Sequence, residues 1–299
     1  MTPVGEDKEL LARSFEEHRG HLKAVAYRML GSLAEAEDAV QEAWLRLGRT
    51  DTAGIDNLGG WLTTVTGRIC LDMLRSRTAR REQPMDETFV PDPVIRPVPQ
   101  TDPEQEALHA DSVGVALLVV LEKLEPDERL AFVLHDMFAV PFDDIAPVVE
   151  RSSAATRQLA SRARRRVRDT TPPSEPDLGR QRQVLDAFMA AARGGDFEAL
   201  VAVLHPDVVL RADAGALVRG VAGSKVLQGA KPVAESAMLF SRYTAAGQIA
   251  LVNDSLGLLS VVDGRIQSVM SVTITGNRIT GMYILADPTR LQHLHLPED

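Results

Sequence analysis

Six arginines and no acidic residue lie between Ser152 and Arg168, in a chain of 299 residues whose formal net charge is −9. Guanidinium groups bind phosphates and carboxylates through paired N–H donors, so this density of arginine suits a polyanion. The helical period puts one polar set on the outer face, namely Arg157, Ser161, Arg164 and Arg168, flanked by Gln158, Arg162 and Arg165. The inner face carries the apolar set Ala155, Leu159, Ala163 and Val167.

A shorter helix is predicted before this basic one, beginning after Asp144 as N-cap, with Pro147 in its first turn. Residues 150–152 then form a turn, and Ser152 caps the second helix. Two short helices joined by a tight turn, the second cationic, are the helix-turn-helix arrangement that enters the DNA major groove. The alternative is a solvated basic helix, but an all-basic face repels itself without an anion.

A second candidate surface lies in EDAVQEAWLRL, residues 37–47. The apolar residues fall at helical spacing and predict one buried stripe: Val40, Ala43, Trp44 and Leu47. A second ridge on the same helix sets a leucine among polar groups: Asp38, Gln41, Glu42 and Leu45. Periodicity alone is also compatible with an ordinary amphipathic helix that has a solvated face.

The segment GGWLTTVTGRICLDMLRSRTARRE, residues 59–82, predicts a third helix. Its core stripe is Leu62, Val65, Ile69 and Met73, and Asp72 is placed to pair with both Arg68 and Arg75. The end of the helix is basic, with Arg75, Arg77, Arg80 and Arg81. A cationic C-terminus complements the helix dipole, but four arginines exceed that need and suit a phosphate backbone.

Two proline-rich breaks divide the chain, residues 83–106 and 169–179. The first holds six prolines and is predicted to be an acidic linker between helical regions. Beyond Gly179 two helices, the first ending at Gly194–Gly195, precede strand-like runs separated by turns such as Asp263–Gly264. Helices followed by an antiparallel sheet predict an α+β domain.

Composition excludes several classes of protein. The longest apolar runs are about half the ~20 residues that a membrane-spanning helix needs, and the N-terminus lacks a secretory pattern. One cysteine permits no internal disulfide, and the seven histidines show no zinc-type spacing. We therefore expect a cytoplasmic protein with no membrane partner, no metal and no cofactor.

In this order and spacing, the motifs resemble an extracytoplasmic-function (ECF) sigma factor of bacterial RNA polymerase. The tail beyond Gly179 resembles the cone-shaped SnoaL-like fold that is fused to one subgroup of these factors. The resemblance implies a multidomain fold: two all-α sigma domains, the second with a helix-turn-helix, and a C-terminal α+β SnoaL-like domain. The expected boundaries are 8–82 for sigma region 2, 83–106 for the linker, 107–170 for region 4 and 178–299 for the regulatory domain.

The resemblance also assigns roles to residues. The ridge Asp38, Gln41, Glu42 and Leu45 matches the surface that binds the β′ clamp helices, and region 4 is expected at the β flap. The residues expected to bind minus-ten promoter DNA are Trp61, Arg68, Arg75, Arg77, Arg80 and Arg81. Those expected at the minus-thirty-five element are Ser153, Arg157, Gln158, Ser161, Arg162, Arg164, Arg165 and Arg168. The family has a glycine in the helix-turn-helix turn where this chain has Glu150.

In the C-terminal domain two short motifs resemble regulatory motifs of the subgroup. DAGALV stands where a DGGGK-like loop is typical, giving Asp213 and Gly215. ADPTRLQHL resembles the terminal Asn-Pro-Asp-Lys-Leu motif, giving Asp287, Pro288, Arg290 and Leu291. The domain is expected to restrain the helical domains in place of a separate anti-sigma protein, and its cone has a pocket that can hold a small molecule. The acidic linker either threads the cationic RNA channel of the polymerase or is a solvated spacer.

The leading interpretation is thus a transcription initiation factor, which responds to a stress signal and is not an enzyme. Two other classes are weighed against it. A one-component helix-turn-helix repressor with a ligand-sensing domain would bind duplex DNA without polymerase, leaving the ridge at Leu45 without a role. A SnoaL-type enzyme would need convergent acid–base groups, for which the candidates are His205, Asp213, Tyr243 and Asp254.

Overall fold

The computed structural model describes residues 4–51, 54–79, 88–98, 113–170, 175–216, 218, 220–241, 247–253 and 255–294. The chain divides into two compact units, and both are discontinuous in sequence. One comprises residues 1–83 and 120–169, and the other comprises residues 84–119 and 170–299. The first unit is helical, and the second contains the sheet.

Three helices begin the helical unit: α1 (Val4–Leu30), α2 (Leu33–Leu47) and α3 (Leu58–Ala79). Ser32 caps α2 by accepting a hydrogen bond from the Glu35 amide. The buried core of this bundle includes Phe15, Leu22, Val40, Leu47 and Leu62. The predicted stripe of α2 is confirmed, because Val40, Ala43 and Leu47 are buried and Trp44 packs on Phe15 with ring centroids 5.1 Å apart.

Four further helices follow the linker: α4 (Val115–Glu122), α5 (Pro126–Phe132), α6 (Phe142–Ile145) and α7 (Ser153–Thr170). A π-helical segment, Val133–Met137, continues α5. The cap of α7 is confirmed, since Ser152 Oγ accepts the Ala155 amide at 3.2 Å. The start predicted for the preceding helix is wrong: α6 begins at Phe142 and Asp144 lies inside it, because Pro141 fixes an extended residue before the first turn.

The turn between α6 and α7 contains a strained residue. Glu150 has φ of 56°, in the left-handed region, where a side chain costs roughly 1–2 kcal/mol. We expect Glu150→Gly to raise the free energy of unfolding by up to about 1 kcal/mol, because glycine has no Cβ to clash there but loses more chain entropy on folding. Urea unfolding of both proteins checks this, and an unchanged or lower stability would show that the strain is compensated.

The second unit is built on α8 (Leu178–Gly194), α9 (Phe197–Val203) and α10 (Ala230–Leu239), and it ends with the short α11 (Pro288–Leu291). Its seven strands are β1 (Ile95–Arg96), β2 (Leu204–Asp213), β3 (Lys225–Gln228), β4 (Gly247–Val252), β5 (Ser255–Val262), β6 (Arg265–Thr275) and β7 (Arg278–Leu285). They form one sheet in the order β1-β4-β5-β6-β7-β2-β3.

The predicted α+β class is confirmed, with one difference in the sheet. All neighbouring strands are antiparallel except β2 and β7, which are parallel, so the sheet is mixed rather than wholly antiparallel. Gly195 ends α8 in the left-handed conformation, as its position predicts. The β5–β6 turn has positive φ at both Asp263 and Gly264, the geometry that suits a two-residue hairpin.

The two faces of this sheet are covered differently. One face packs against α8, α9 and α10, around buried residues such as Phe188, Leu200 and Val233. The other packs against the linker, the start of α4 and α11, since Val90, Val115, Val119 and Leu291 share one buried cluster with β4–β7. The linker strand β1 extends the sheet edge by pairing with β4, Ile95 opposite Val252.

Candidate functional site

The ridge on α2 projects from the helical unit. Asp38 and Gln41 are exposed, and Leu45 has 44% of its surface exposed although it is a large apolar side chain. Glu42 is half-buried and accepts a hydrogen bond from Arg46 Nε at 3.0 Å. Leu45 is exposed among carboxylates, so part of its side chain is free to contact another protein.

Helix α3 is buried on more sides than one predicted stripe. Leu62 and Ile69 are buried and Val65 and Met73 are half-buried, but Thr66, Cys70 and Leu74 are also buried. The reason is a second packing partner: α5 and its π-helical continuation lie so close to Gly67 that a Cβ there would be 3.0 Å from Leu134 Cδ1. Helices from before and after the linker therefore pack on each other inside one unit.

This packing changes the environment of the basic residues on α3. The predicted pairing of Asp72 is wrong, because Arg75 donates instead to Asp127 on α5 with an N–O distance of 2.8 Å. Arg77 is bonded to Glu35, Trp61 is half-buried and Arg68 is exposed. Arg80 and Arg81 lie outside the described residues. The structure thus places Arg75 and Arg77 in ion pairs and leaves Arg68 facing solvent.

The basic helix α7 has the predicted faces. Leu159 and Ala163 are buried and Ala155 and Val167 are half-buried. Five members of the predicted DNA-binding set are exposed and make no ion pair among the described residues: Arg157, Gln158, Ser161, Arg165 and Arg168. Ser153 is half-buried and donates from Oγ to Asp143 at 2.5 Å. The exposed residues form a continuous polar surface along the helix.

Other arginines of α7 are held by acids of the same unit. Glu128 on α5 bonds Arg162 Nε at 2.7 Å and Arg166 Nη1 at 2.9 Å, although only 5% of its own side chain is exposed. Arg164 bonds Asp136 at 2.6 Å. Sequence reasoning missed Glu128, because an acid between Asp127 and Arg129 in an acidic stretch has no local feature that marks it as buried.

A buried cation joins the two helical regions. Arg129 is 1% exposed, pairs with Glu122 at 2.7 Å and donates from Nη2 to the Arg28 carbonyl of α1 at 3.3 Å. Buried ion pairs stabilise only when such extra hydrogen bonds complete their geometry, and removing one partner leaves an uncompensated charge. Arg129 therefore fixes α5 against α1, because its hydrogen bonds are made only when the two helices pack in this arrangement.

The single cysteine lies in the same interior. Burial raises the pKa of Cys70 to about 12, so the group is a protonated, unreactive thiol at neutral pH. We expect iodoacetamide at pH 8 to leave the native protein unmodified and to alkylate it fully in 6 M guanidinium chloride. Mass spectrometry of both samples checks this, and rapid labelling of the native protein would contradict the buried position.

In the α+β unit, the predicted regulatory residues come together around one arginine. Arg290 donates from Nη1 to Asp213 Oδ2 at 2.7 Å and from Nε to Asp92 Oδ1 at 2.7 Å, and from Nη2 to the Val90 carbonyl at 2.6 Å. Asp213 also accepts the Val90 amide at 3.3 Å. We call Asp92, Asp213 and Arg290, with the backbone of Val90, the linker clamp, because they fix the linker to the C-terminal domain.

The other predicted regulatory residues position this arginine. Asp287 caps α11 by accepting the Thr289 amide at 2.8 Å, Pro288 occupies its first turn, and Leu291 is buried. Gly215 has φ of 74°, and a Cβ on it would be 2.6 Å from the Asp287 carboxyl carbon. A side chain at position 215 would therefore collide with the cap of the helix that carries Arg290.

Asn253 is a further linker contact that sequence reasoning missed. Its amide donates to the Val94 carbonyl at 2.7 Å, its Oδ1 accepts the Val94 amide at 3.1 Å, and its Nδ2 donates to the Val113 carbonyl at 2.7 Å. Asn253 is 3% exposed with φ of 60°. Asn253 thus contacts both Val94 and Val113.

Of the four candidate acid–base groups, the two that the structure describes do not converge. His205 and Asp213 lie near opposite ends of β2, about 25 Å apart along a strand. His205 Nδ1 accepts the Asp207 amide at 3.2 Å, so His205 orders the local backbone at the start of β2. Tyr243 and Asp254 lie outside the described residues. Among the helices that the structure describes, none has the length and apolarity to cross a membrane.

Comparison with known proteins matches both helical regions. Residues 14–80 match the Sigma-70 region 2 family, and residues 114–167 match Sigma-70, region 4. The chain is 41% identical over 303 residues to the ECF RNA polymerase sigma factor SigJ of Mycobacterium tuberculosis strain H37Rv, covering 95% of this chain and 94% of SigJ. It is 34% identical over 285 residues to the probable ECF RNA polymerase sigma factor SigI of Mycobacterium tuberculosis strain CDC 1551, covering 95% and 96%.

The likeness extends to the whole structure. The crystal structure of Mycobacterium tuberculosis SigJ superposes with a TM-score of 0.72 at 38% identity, over 94% of this chain and 98% of that one. The match therefore includes the α+β unit, most of which lies outside the two family regions. Together with the ridge, the basic helix α7 and the clamped linker, these matches show that the chain belongs to the ECF sigma factors of bacterial RNA polymerase and is not an enzyme.

Proposed function

We propose that the C-terminal domain controls this sigma factor by holding the linker between regions 2 and 4. The observation that carries the proposal is the linker clamp, together with the bonds of Asn253 to both Val94 and Val113. A free chain between these two residues could reach roughly 60 Å at 3.3–3.6 Å per residue. Promoter elements at minus ten and minus thirty-five are about 25 base pairs apart, or roughly 85 Å at 3.4 Å per pair. Clamping the linker removes much of the reach that regions 2 and 4 need.

The packing within the helical unit supports a closed form of the factor. Arg75, a predicted minus-ten contact, is paired with Asp127 of region 4, and Arg162 is paired with Glu128. These arginines must exchange their carboxylates for phosphates when DNA binds. The exchange costs free energy in the free protein, so promoter binding would follow only where the polymerase supplies further contacts.

In this proposal the partners follow from the exposed surfaces. The ridge around Leu45 binds the β′ clamp helices, the region 4 helices bind the β flap, and the exposed face of α7 binds minus-thirty-five DNA. The factor acts in the bacterial cytoplasm, where the polymerase is. The linker, once released, is free to enter the polymerase as an acidic segment. A one-component repressor would not need the ridge or a linker held by its sensor domain.

Affinity for core polymerase tests the proposal. The Asp92→Asn variant removes the linker's charged contact with Arg290 while keeping the side-chain shape, and it should bind core polymerase about tenfold more tightly than wild type, because less free energy is spent on opening. Asp263→Asn is the matched control, the same substitution at an exposed aspartate of the same unit outside the clamp. Equal affinity of all three proteins, measured by fluorescence anisotropy, would contradict control by the clamp.

A further inference from the structure

The α+β unit encloses a cavity of about 280 Å³ between the sheet and the helices α8 and α10. It exists because the strands change from large to small residues along one face. Leu256, Val272 and Ile279 fill the core at one end. At the other end several of the lining side chains are small, namely Ala212, Ala214, Ser260, Ser268 and Ala286. The volume is near the lower limit for ligand pockets, roughly 300 Å³.

Ser260 is an unexplained polar group in the wall of this cavity. Ser260 follows Leu256 and Leu258 at two-residue spacing along β5, so all three side chains lie on the same face of the sheet. That face packs against the helices. The residue is 7% exposed, and in the part of the chain that the structure describes its Oγ has no hydrogen-bond partner. A buried hydroxyl without a partner is costly and rare in native proteins, so Ser260 points to a missing ligand atom.

A cation lies at the same cavity. Lys225 lines it, and its Nζ is 4.6 Å from the centroid of the Phe240 ring, which also lines it. Burial lowers the pKa of Lys225, which means that its charge is partly desolvated there. The rest of the wall is mainly apolar, including Phe188, Leu210 and Met282.

We propose that this cavity binds a compact apolar carboxylic acid. The apolar part of the acid contacts Leu210, Leu258 and Met282, and its carboxylate pairs with the Lys225 ammonium. The Ser260 hydroxyl donates to a second polar group of the acid, an oxygen outside the carboxylate. An anion is favoured over a neutral ligand because the cation stands beside an otherwise apolar wall. The acid is small, of the size of a bicyclic aromatic compound.

The cavity adjoins the linker clamp through the backbone. Ala214 and Ala286 line the cavity, and they directly follow Asp213 and directly precede Asp287. The Ala286 amide donates to the Asp213 carbonyl at 2.7 Å, so the two segments are tied together. Resting on the proposed function, a ligand that displaces either alanine would alter the position of Asp213 or Arg290 and thereby the hold on the linker.

Binding can be measured with 6-hydroxy-2-naphthoate and, as the matched probe without the ring hydroxyl, 2-naphthoate. Titration calorimetry on the full chain should give one saturable site, with about tenfold preference for the hydroxylated probe. Lys225→Met should weaken both probes about tenfold, and Ser260→Ala should remove the preference between them. Ala212→Phe fills the cavity and should abolish binding, and Ala286→Leu does the same if the first variant fails to fold.

Absence of saturable binding to the wild type, or equal binding by the filled variants, would overturn the proposal. Hydrogen exchange of residues 88–98 with and without probe separates it from the clamp. Binding with a change in exchange supports both. Binding with unchanged exchange supports the site but contradicts its coupling to the linker. Either result is independent of the polymerase-affinity experiment, which tests the clamp itself.

Discussion

A Gln41→Ala, Leu45→Arg double variant is expected to lose core RNA polymerase binding by at least about 100-fold, or 2.7 kcal/mol. Leu45 is the exposed apolar residue of the ridge and Gln41 is its exposed polar neighbour one turn away. Central residues of an interface carry most of its binding energy. An arginine in place of a leucine that becomes buried in the complex adds a desolvated charge there. Co-purification followed by anisotropy titration gives the size of the loss.

The matched control is Leu10→Arg, because Leu10 is another large exposed apolar residue, at 60%, on a different helix of the same unit. Both substitutions leave the core residues Val40 and Leu47 untouched, so thermal unfolding should shift little for either protein. Loss of polymerase binding in the control as well, or retention in the double variant, would show that the ridge is not the polymerase contact.

Replacement of Arg290 by methionine should lower the free energy of unfolding of the α+β unit by about 3 kcal/mol. The change leaves Asp92 and Asp213, whose side chains are about 10% exposed, without their cation. Removing one partner of a buried pair costs roughly 3–5 kcal/mol, and the lower end applies because a fifth of the Arg290 side chain is exposed. The Val90 carbonyl loses a hydrogen-bond donor as well.

The linker should respond more than the domain does. Elastase, which cleaves after small apolar residues such as Val94, is expected to cut within residues 88–98 faster in Arg290→Met than in wild type. Arg278→Met, an exposed arginine that makes no ion pair among the described residues, is the control and should be cut at the wild-type rate. Unchanged stability and unchanged cleavage in Arg290→Met would mean that the clamp does not hold the linker.

The regular elements could be predicted from the sequence because their signals are local. The stripe on α2, the serine cap of α7 and the five strands β2 and β4–β7 follow from spacing and turn residues within each segment. The strand β1 could not be predicted, because it is two residues long in a proline-rich stretch and depends on Asn253, about 160 residues away. The short β3 and the parallel pairing of β2 with β7 also depend on distant partners.

The candidate site divides in the same way. Exposed surfaces such as Leu45 and the outer face of α7 follow from helical periodicity, which places a side chain without reference to other segments. The partners of charged residues cannot be predicted from periodicity, since Asp92 and Arg290 are separated by 198 positions and Glu128 and Arg162 by 34. Resemblance to the family indicated Asp213 and Arg290, and only the folded chain joins them to the linker.

Hydrogen exchange of the linker in the free factor and in its complex with core polymerase tests the central claim most directly. The amides of Val90 and Val94 are bonded to Asp213 and Asn253, so peptides covering residues 88–98 should exchange slowly in the free protein. In the complex the same peptides should exchange at least about tenfold faster, and protection around Asn253 should be lost as well. Protection around Asn253 that is the same in both states would contradict release of the linker.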